Sequence, residues 1–226
     1  TLLGGTALLI QSSHGRSRSV ALLLADGRID PNQVDSKGKS PLYSAANHGA
    51  DRCVELLLAD PRVDPNLACS SNGRSPLCTA AAQGRERCVE LFLADPRVDP
   101  NRVDSLGETP LSIAANLGEF RCVELLLGDP RVDVCRADAD GMTPLVSACI
   151  QLKNSMDQVS APGGNDPARC LVLMLRSRRL PKHNVEETIR LMGNDMPTRR
   201  QIDAAAAGGE PLAPEQKLCR MVIPVL

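Results

Sequence analysis

Apolar and polar positions alternate along the chain in a long-range pattern. Clusters of the form Pro-Leu-x-x-Ala-Ala are followed, after a Gly, by Cys-Val-x-Leu-x-Leu, and the pair then repeats. The segment CVELLLADPRVDPN at 53–66 returns as CVELFLADPRVDPN at 88–101, with 13 of 14 positions identical. It returns again as CVELLLGDPRVDVC at 122–135, with 11 of 14. GKSPL at 38, GRSPL at 73, GETPL at 107 and GMTPL at 141 run in phase, spaced 35, 34 and 34 residues apart. A weaker copy lies upstream, GGTAL at 4 and ALLLADGRIDPN at 21–32. The extra residue of the second unit falls in 67–72, where a change of length marks a loop.

Each unit predicts two short helices. Ser40, Ser75, Thr109 and Thr143 precede a proline, which places a hydroxyl at N-cap and Pro at the first helical position. The first helix ends at Gly49, Gly84 or Gly118, residues suited to a left-handed C-terminal turn. The second ends before Asp60-Pro61, Asp95-Pro96 or Asp129-Pro130, because the residue before proline is pushed out of the helical region. Helices of about 8–10 residues are not stable alone, so the apolar faces must be buried against the next copy, as in a solenoid. In that register Leu91 is expected to lie between units, so that Leu91→Ala costs about 2–5 kcal/mol.

The G-x-[ST]-P-L-x-x-A-A-x-x-G pattern, followed by V-E-L-L-L and D-x-N, resembles the ankyrin repeat family over roughly residues 1–180, most strongly over 38–148. The resemblance implies an all-α solenoid of about five helix-turn-helix units with finger loops along one edge. It also implies a non-catalytic module that binds proteins. This chain departs from the family pattern in two places. The usual His after Pro-Leu is replaced by Tyr43, Cys78, Ser112 and Val146, which puts its hydrogen bond between units in question. Asp-Pro-Arg replaces the usual Gly after the second helix, and the rigid proline is expected to stiffen that turn.

The units read as about 4–37, 38–72, 73–106, 107–140 and 141–180. The fifth is interrupted, since Gly141 and Cys170 stand 29 residues apart where the equivalent distance elsewhere is 15. An inserted surface loop is expected at about 153–168. In the second helix of units two to four, Arg52/Glu55, Arg87/Glu90 and Arg121/Glu124 form i,i+3 pairs on a solvated face. In the fifth unit that Glu becomes Val172. A terminal unit should be more polar on its outer side, so residues 181–226 are expected to form a divergent helical cap, or to begin a further region.

Composition sharpens this reading. Tyr43, Phe92 and Phe120 are the only aromatics and there is no Trp, so the core is filled by Leu, Val, Ala and Cys. The scarcity of rings argues against nucleic-acid binding by base stacking and against aromatic-lined ligand pockets. With 26 basic and 27 acidic residues the net charge is −1, which gives no polyanion or membrane-surface signature. No apolar run reaches membrane-spanning length. The chain lacks an initiating Met and reads as a fragment or processed product.

Nine cysteines without a CxxC pair fit neither a disulfide framework nor a zinc module. They point to a reducing intracellular setting, the cytoplasm or else the nucleus. Cys53, Cys88, Cys122 and Cys170 fall in equivalent positions and read as small interior residues. Gly38-Lys39-Ser40 and Asp138-x-Asp140-Gly141 imitate pieces of phosphate and calcium loops, but both lack the remaining positions. The basic run Arg176, Arg178, Arg179 and Lys182 reads as cations at a helix C-terminus. His14 and His48 recur with the scaffold, which is not expected of a catalytic base. Neither a catalytic site nor a cofactor or metal site is expected, and the chain is expected to be a monomer.

Positions that vary among near-identical units are where selectivity can be encoded. After the phasing Gly stand Lys39, Arg74, Glu108 and Met142; one step before it stand Lys37, Asn72, Leu106 and Asp140. The last turn of the first helix carries Asn47/His48, Ala82/Gln83 and Asn116/Leu117. In the ankyrin arrangement these positions line the concave side, so the groove would grade from basic to acidic and apolar along the array. A protein segment is expected to dock there, and reversing Arg74 and Glu108 to weaken its capture while changing stability by no more than about 0.5 kcal/mol. Two alternatives stand beside this one. One is a regulatory portion of a larger enzyme or signalling protein; the other is a thiol-based redox sensor using Cys69 and Cys135, which depart from the repeat.

Overall fold

The computed structural model describes residues 2–157, 166–177 and 179–181. Ten helices occur among them and no strand. They pair along the chain as α1 (Leu2–Ser13) with α2 (Ser17–Ala25), α3 (Pro41–His48) with α4 (Asp51–Ala59), and α5 (Pro76–Ala82) with α6 (Glu86–Ala94). Then come α7 (Pro110–Leu117) with α8 (Phe120–Gly128) and α9 (Pro144–Asp157) with α10 (Pro167–Arg176). The odd-numbered helices pack on one another as an inner row and the even-numbered ones as an outer row, each row ordered by chain position. The result is a two-layer helical solenoid.

Local chemistry sets the ends of these helices. Ser40 Oγ accepts the Tyr43 N–H at 3.1 Å, Ser75 Oγ that of Cys78 at 3.2 Å and Thr109 Oγ1 that of Ser112 at 3.1 Å. Each of these helices has Pro in its first turn. Helices α3 and α7 close on Gly49 and Gly118 with φ of 68° and 76°, a conformation that glycine adopts without steric cost. The outer helices instead stop on Asp60, Asp95 and Asp129, extended as a residue before proline must be.

The core is thin and lacks stacked rings. In α3 every residue from Pro41 to Ala46 is buried, and in α7 every residue from Pro110 to Ala115. Their alanines let the inner helices sit closely between the outer row and the loops. The outer helices bury a narrower stripe: Cys53/Val54/Leu57, Cys88/Val89/Phe92 and Cys122/Val123/Leu126. Leu91, expected in the interior, is only half-buried, and Phe92 occupies the interior position at 0% exposure. With Cys88 and Val89 fixing the buried direction, the residue four beyond Cys88 lies close to that direction and the residue three beyond falls on its flank.

In the fifth unit the helices reach into the expected insertion from both sides. Helix α9 continues to Asp157 and α10 begins at Pro167, so the 153–168 loop is narrowed at both ends. The Asp166 carboxylate caps α10 by accepting the Arg169 N–H at 2.9 Å, and the Asp166 N–H donates to the Gly118 carbonyl at 2.9 Å. The Arg169 guanidinium lies 4.1 Å from the Phe120 ring centroid, a second link between units four and five. The expected cap over 181–226 lies, beyond Pro181, outside the described residues.

Candidate protein-docking surface

Four fingers precede the inner helices, and a short backbone loop closes each. Asp35 N–H donates to the Lys39 carbonyl, Cys69 to Arg74, Asp104 to Glu108 and Asp138 to Met142, all at 2.9–3.1 Å. In three of them the aspartate carboxylate also accepts N–H groups two and four residues on, as Asp104 does from Leu106 and Glu108 at 2.9 and 3.1 Å. In the second finger Cys69 takes the aspartate's place, and its thiol bonds the Lys37 carbonyl at 3.1 Å. The fingers are joined in a row. Ser70 Oγ donates to Lys37 O, Ser105 N–H to Asn72 O and Ala139 N–H to Leu106 O. Glycine is required here: a Cβ on Gly73 (φ +69°) would lie 2.6 Å from Ser105 N.

Two of the four replacements for the usual His still bond to the loop before the next inner helix. The Tyr43 hydroxyl accepts from Asn72 Nδ2 at 3.4 Å, and the buried Cys78 thiol donates to the Arg102 carbonyl at 3.3 Å. Ser112 turns inward to Thr109 Oγ1 at 2.9 Å.

The positions read from the sequence fall into two groups. On the fingers, Lys37, Leu106 and Asp140 are exposed, and Lys39, Asn72, Arg74, Glu108 and Met142 are half-buried. On the last turns of the inner helices, His48, Gln83 and Leu117 are exposed, Asn47 and Asn116 are half-buried, and Ala82 is buried. The His48 ring Nδ1 lies 2.8 Å from the Ser44 carbonyl. Arg74 is not a free cation. Its guanidinium lies 3.2 Å from Asp104 Oδ2 and 3.8 Å from Glu108 Oε2. Burial raises the Glu108 carboxyl above its usual range, helped by the Asp104 charge and opposed by Arg74. Arg74 and Glu108 are therefore partners of each other, and reversing them is not neutral for stability: a Glu at 74 faces Asp104, whose side chain is 2% exposed.

A family model described as ankyrin repeats (3 copies) matches residues 8–104, 61–138 and 77–159. The chain belongs to the ankyrin repeat family. Ankyrin repeats are in general protein-interaction modules, and the fingers and inner-helix ends of this ankyrin array carry residues that vary from unit to unit. A comparison with curated proteins finds no match.

Other chemistries find little support among the described residues. Seven of the described thiols are buried: Cys53, Cys69, Cys78, Cys88, Cys122, Cys149 and Cys170. Burial pushes Cys78 up to about 11 and Cys122, Cys149 and Cys170 up to about 12, which suppresses the reactive thiolate. Of the two cysteines that the thiol-sensor alternative named, Cys69 is 0% exposed and bonded into the finger row, and Cys135 is half-buried. No group of three His, Cys, Asp or Glu able to hold a metal occurs among the described residues, and no described helix is long and apolar enough to cross a membrane.

Sequence reasoning missed the role of Asp-Pro-Arg. Each arginine pairs with its own aspartate at 2.6–2.7 Å and reaches carbonyls in the last turn of the preceding outer helix and in the loop that follows it. Arg62 donates to Leu24 O, Arg97 to Leu58 O and Val63 O, and Arg131 to Leu93 O and Val98 O. Arg179, from the basic run of the fifth unit, does the same on Leu127 O and Asp129 O at 2.9 Å. The signal was present in the sequence, since Arg179 stands nine residues after Cys170 as Arg131 stands nine after Cys122.

Proposed function

We propose that this chain is a non-catalytic adaptor that captures a protein segment along its finger row and the exposed ends of its inner helices. The observation that carries the reading is the division of labour among the variable positions. The scaffold residues are buried or bonded across units, whereas Lys37, His48, Gln83, Leu106, Leu117 and Asp140 vary from unit to unit and are exposed. Leu106 and Leu117 are two of the six exposed large hydrophobic residues among those described, at 62% and 37%. Exposed aliphatic positions among polar ones suit a protein partner, where they supply the apolar contact.

The outer row of helices supports this by contrast. Its helices carry the repeated pairs Arg52–Glu55, Arg87–Glu90 and Arg121–Glu124, which differ little from unit to unit and offer no basis for register. The test is affinity capture with the wild-type chain, a Lys37→Glu/Leu117→Asp variant and an outer-face Arg87→Glu variant. Partner capture is expected to be lost in the first variant and kept in the second, with melting temperatures close to wild type. Capture that survives in the first variant and fails in the second moves the site to the outer helices.

A further inference from the structure

We propose that the finger row reads a linear segment of fixed polarity, with carboxylates over the first finger and an aliphatic residue next to a basic one over the third and fourth. The proposal rests on the docking surface described above and specifies the chemistry of its occupant.

The first finger holds the uncommitted cations. Lys37 is exposed, Lys39 is half-buried, and neither forms an ion pair among the described residues. The only carboxylate within that finger, Asp35, is occupied by the backbone N–H groups of Lys37 and Lys39 at 2.9 and 2.8 Å. The Lys39 ammonium stands 5.9 Å from the Tyr43 ring centroid, which holds the charge in place without neutralising it.

Across the next two fingers the balance reverses. Arg74 is shared by Asp104 and Glu108, so two carboxylates face one guanidinium and the group is short of a positive charge. Glu108 receives only the longer contact, at 3.8 Å, and its side chain is 14% exposed. On the fourth finger Asp140 is exposed and makes no ion pair among the described residues. The apolar surface lies at this end as well, with Leu106 on the third finger, Leu117 at the end of α7 and Ile150, 40% exposed, on α9. A partner's basic side chain beside an aliphatic one satisfies both features, and the opposite charge at the far end fixes its direction. Packed helices stand about 8–10 Å apart, so three steps from the first finger to the fourth cover about 24–30 Å. An extended segment spans this with about eight residues at ~3.3 Å each.

The test pans a display library of random 12-residue peptides on the full 226-residue chain and measures the enriched sequences as labelled synthetic peptides. The expected binders carry Asp or Glu at one end and Leu, Ile or Val next to Lys or Arg at the other. Their affinity should fall at least tenfold on a Lys37→Glu/Lys39→Glu variant and return when the peptide's acidic residues are replaced by Lys. Binders that ignore the lysine reversal but are blocked by Leu117→Asp overturn the polarity and leave the docking surface intact. Binders insensitive to all three substitutions, or the absence of any binder, overturn the docking surface as well.

Discussion

Arg62, Arg97 and Arg131 show how much of this molecule's order rests on single side chains. Each guanidinium joins an aspartate of its own unit to carbonyls of the preceding one, where an α-helix leaves its last acceptors unpaired. Arg97→Ala is expected to cost about 1.5–3 kcal/mol, because several bonds to a charged group are lost together. Arg97→Lys should not restore it, since an ammonium lacks the fork that serves several acceptors at once. Arg87→Ala breaks an exposed pair, 63% and 43% exposed, and should cost no more than about 0.5 kcal/mol. Urea unfolding of the three variants checks the order, and equal losses for Arg97→Ala and Arg87→Ala would contradict it.

The same clamps set the acid limb of stability. Hydrogen bonds from Arg62, Arg97 and Arg131 hold the carboxyls of Asp60, Asp95 and Asp129 below their usual range. A carboxyl depressed in the folded state stabilises above its unfolded pKa of about 3.9, and the contribution is lost as the pH falls through the folded value. Glu108 and Glu119, raised by burial, act in the opposite sense and ease as the pH falls. The clamps' contribution should therefore fall below about pH 4, less steeply in Asp95→Asn than in wild type; parallel limbs for wild type and variant in pH-dependent unfolding would refute the assignment. The recurrence of Asp-Pro-Arg at a fixed distance from the cysteine was legible in the sequence, but not the carbonyls that Arg97 reaches, which lie 34 and 39 residues away.

At the scale of the helix, the sequence spoke clearly about ends and less clearly about faces. Ser or Thr before Pro, and Gly after Ala-Ala-x-x, placed the inner helices because each is a local constraint on backbone geometry. The outer helices offer Leu or Phe at three consecutive positions, 91 to 93, so composition alone does not decide which enters the core. Packing against both rows decides it for Phe92. Phe92→Ala is expected to cost about 3–5 kcal/mol, as a fully buried ring does. Leu91→Ala should cost about 1–2 kcal/mol in proportion to its partial burial. Chemical denaturation giving the reverse order would mean that α6 is rotated from the orientation described.

The whole molecule is held by a second ladder that runs beside the arginines. Asn32, Asn66 and Asn101 each donate to a carbonyl of the next unit at 2.7 Å and accept the N–H of an aspartate there at 2.6–2.8 Å. The asparagines stop at the third unit: Cys135 takes that place in the fourth, and Pro181, in the register of Asp133, has no N–H to give. Asn66→Ala should cost about 1–2 kcal/mol in urea unfolding by removing two bonds between units, and a loss near zero would show that the outer helices alone set the spacing. The repeat itself made the solenoid legible, because identical units in phase have one way to bury their apolar faces. The finger surface was legible in its positions but not in its charge, since the pairing of Arg74 with Asp104 and Glu108 crosses from one unit to the next.

Hydrogen exchange on the full chain, with and without a bound peptide selected as above, tests the docking surface most directly. The account predicts added protection in the fingers at 35–39, 69–74, 104–108 and 138–142 and in the last turns of α3, α5 and α7, with α4, α6 and α8 unchanged. Protection confined to α4, α6 and α8 would contradict it.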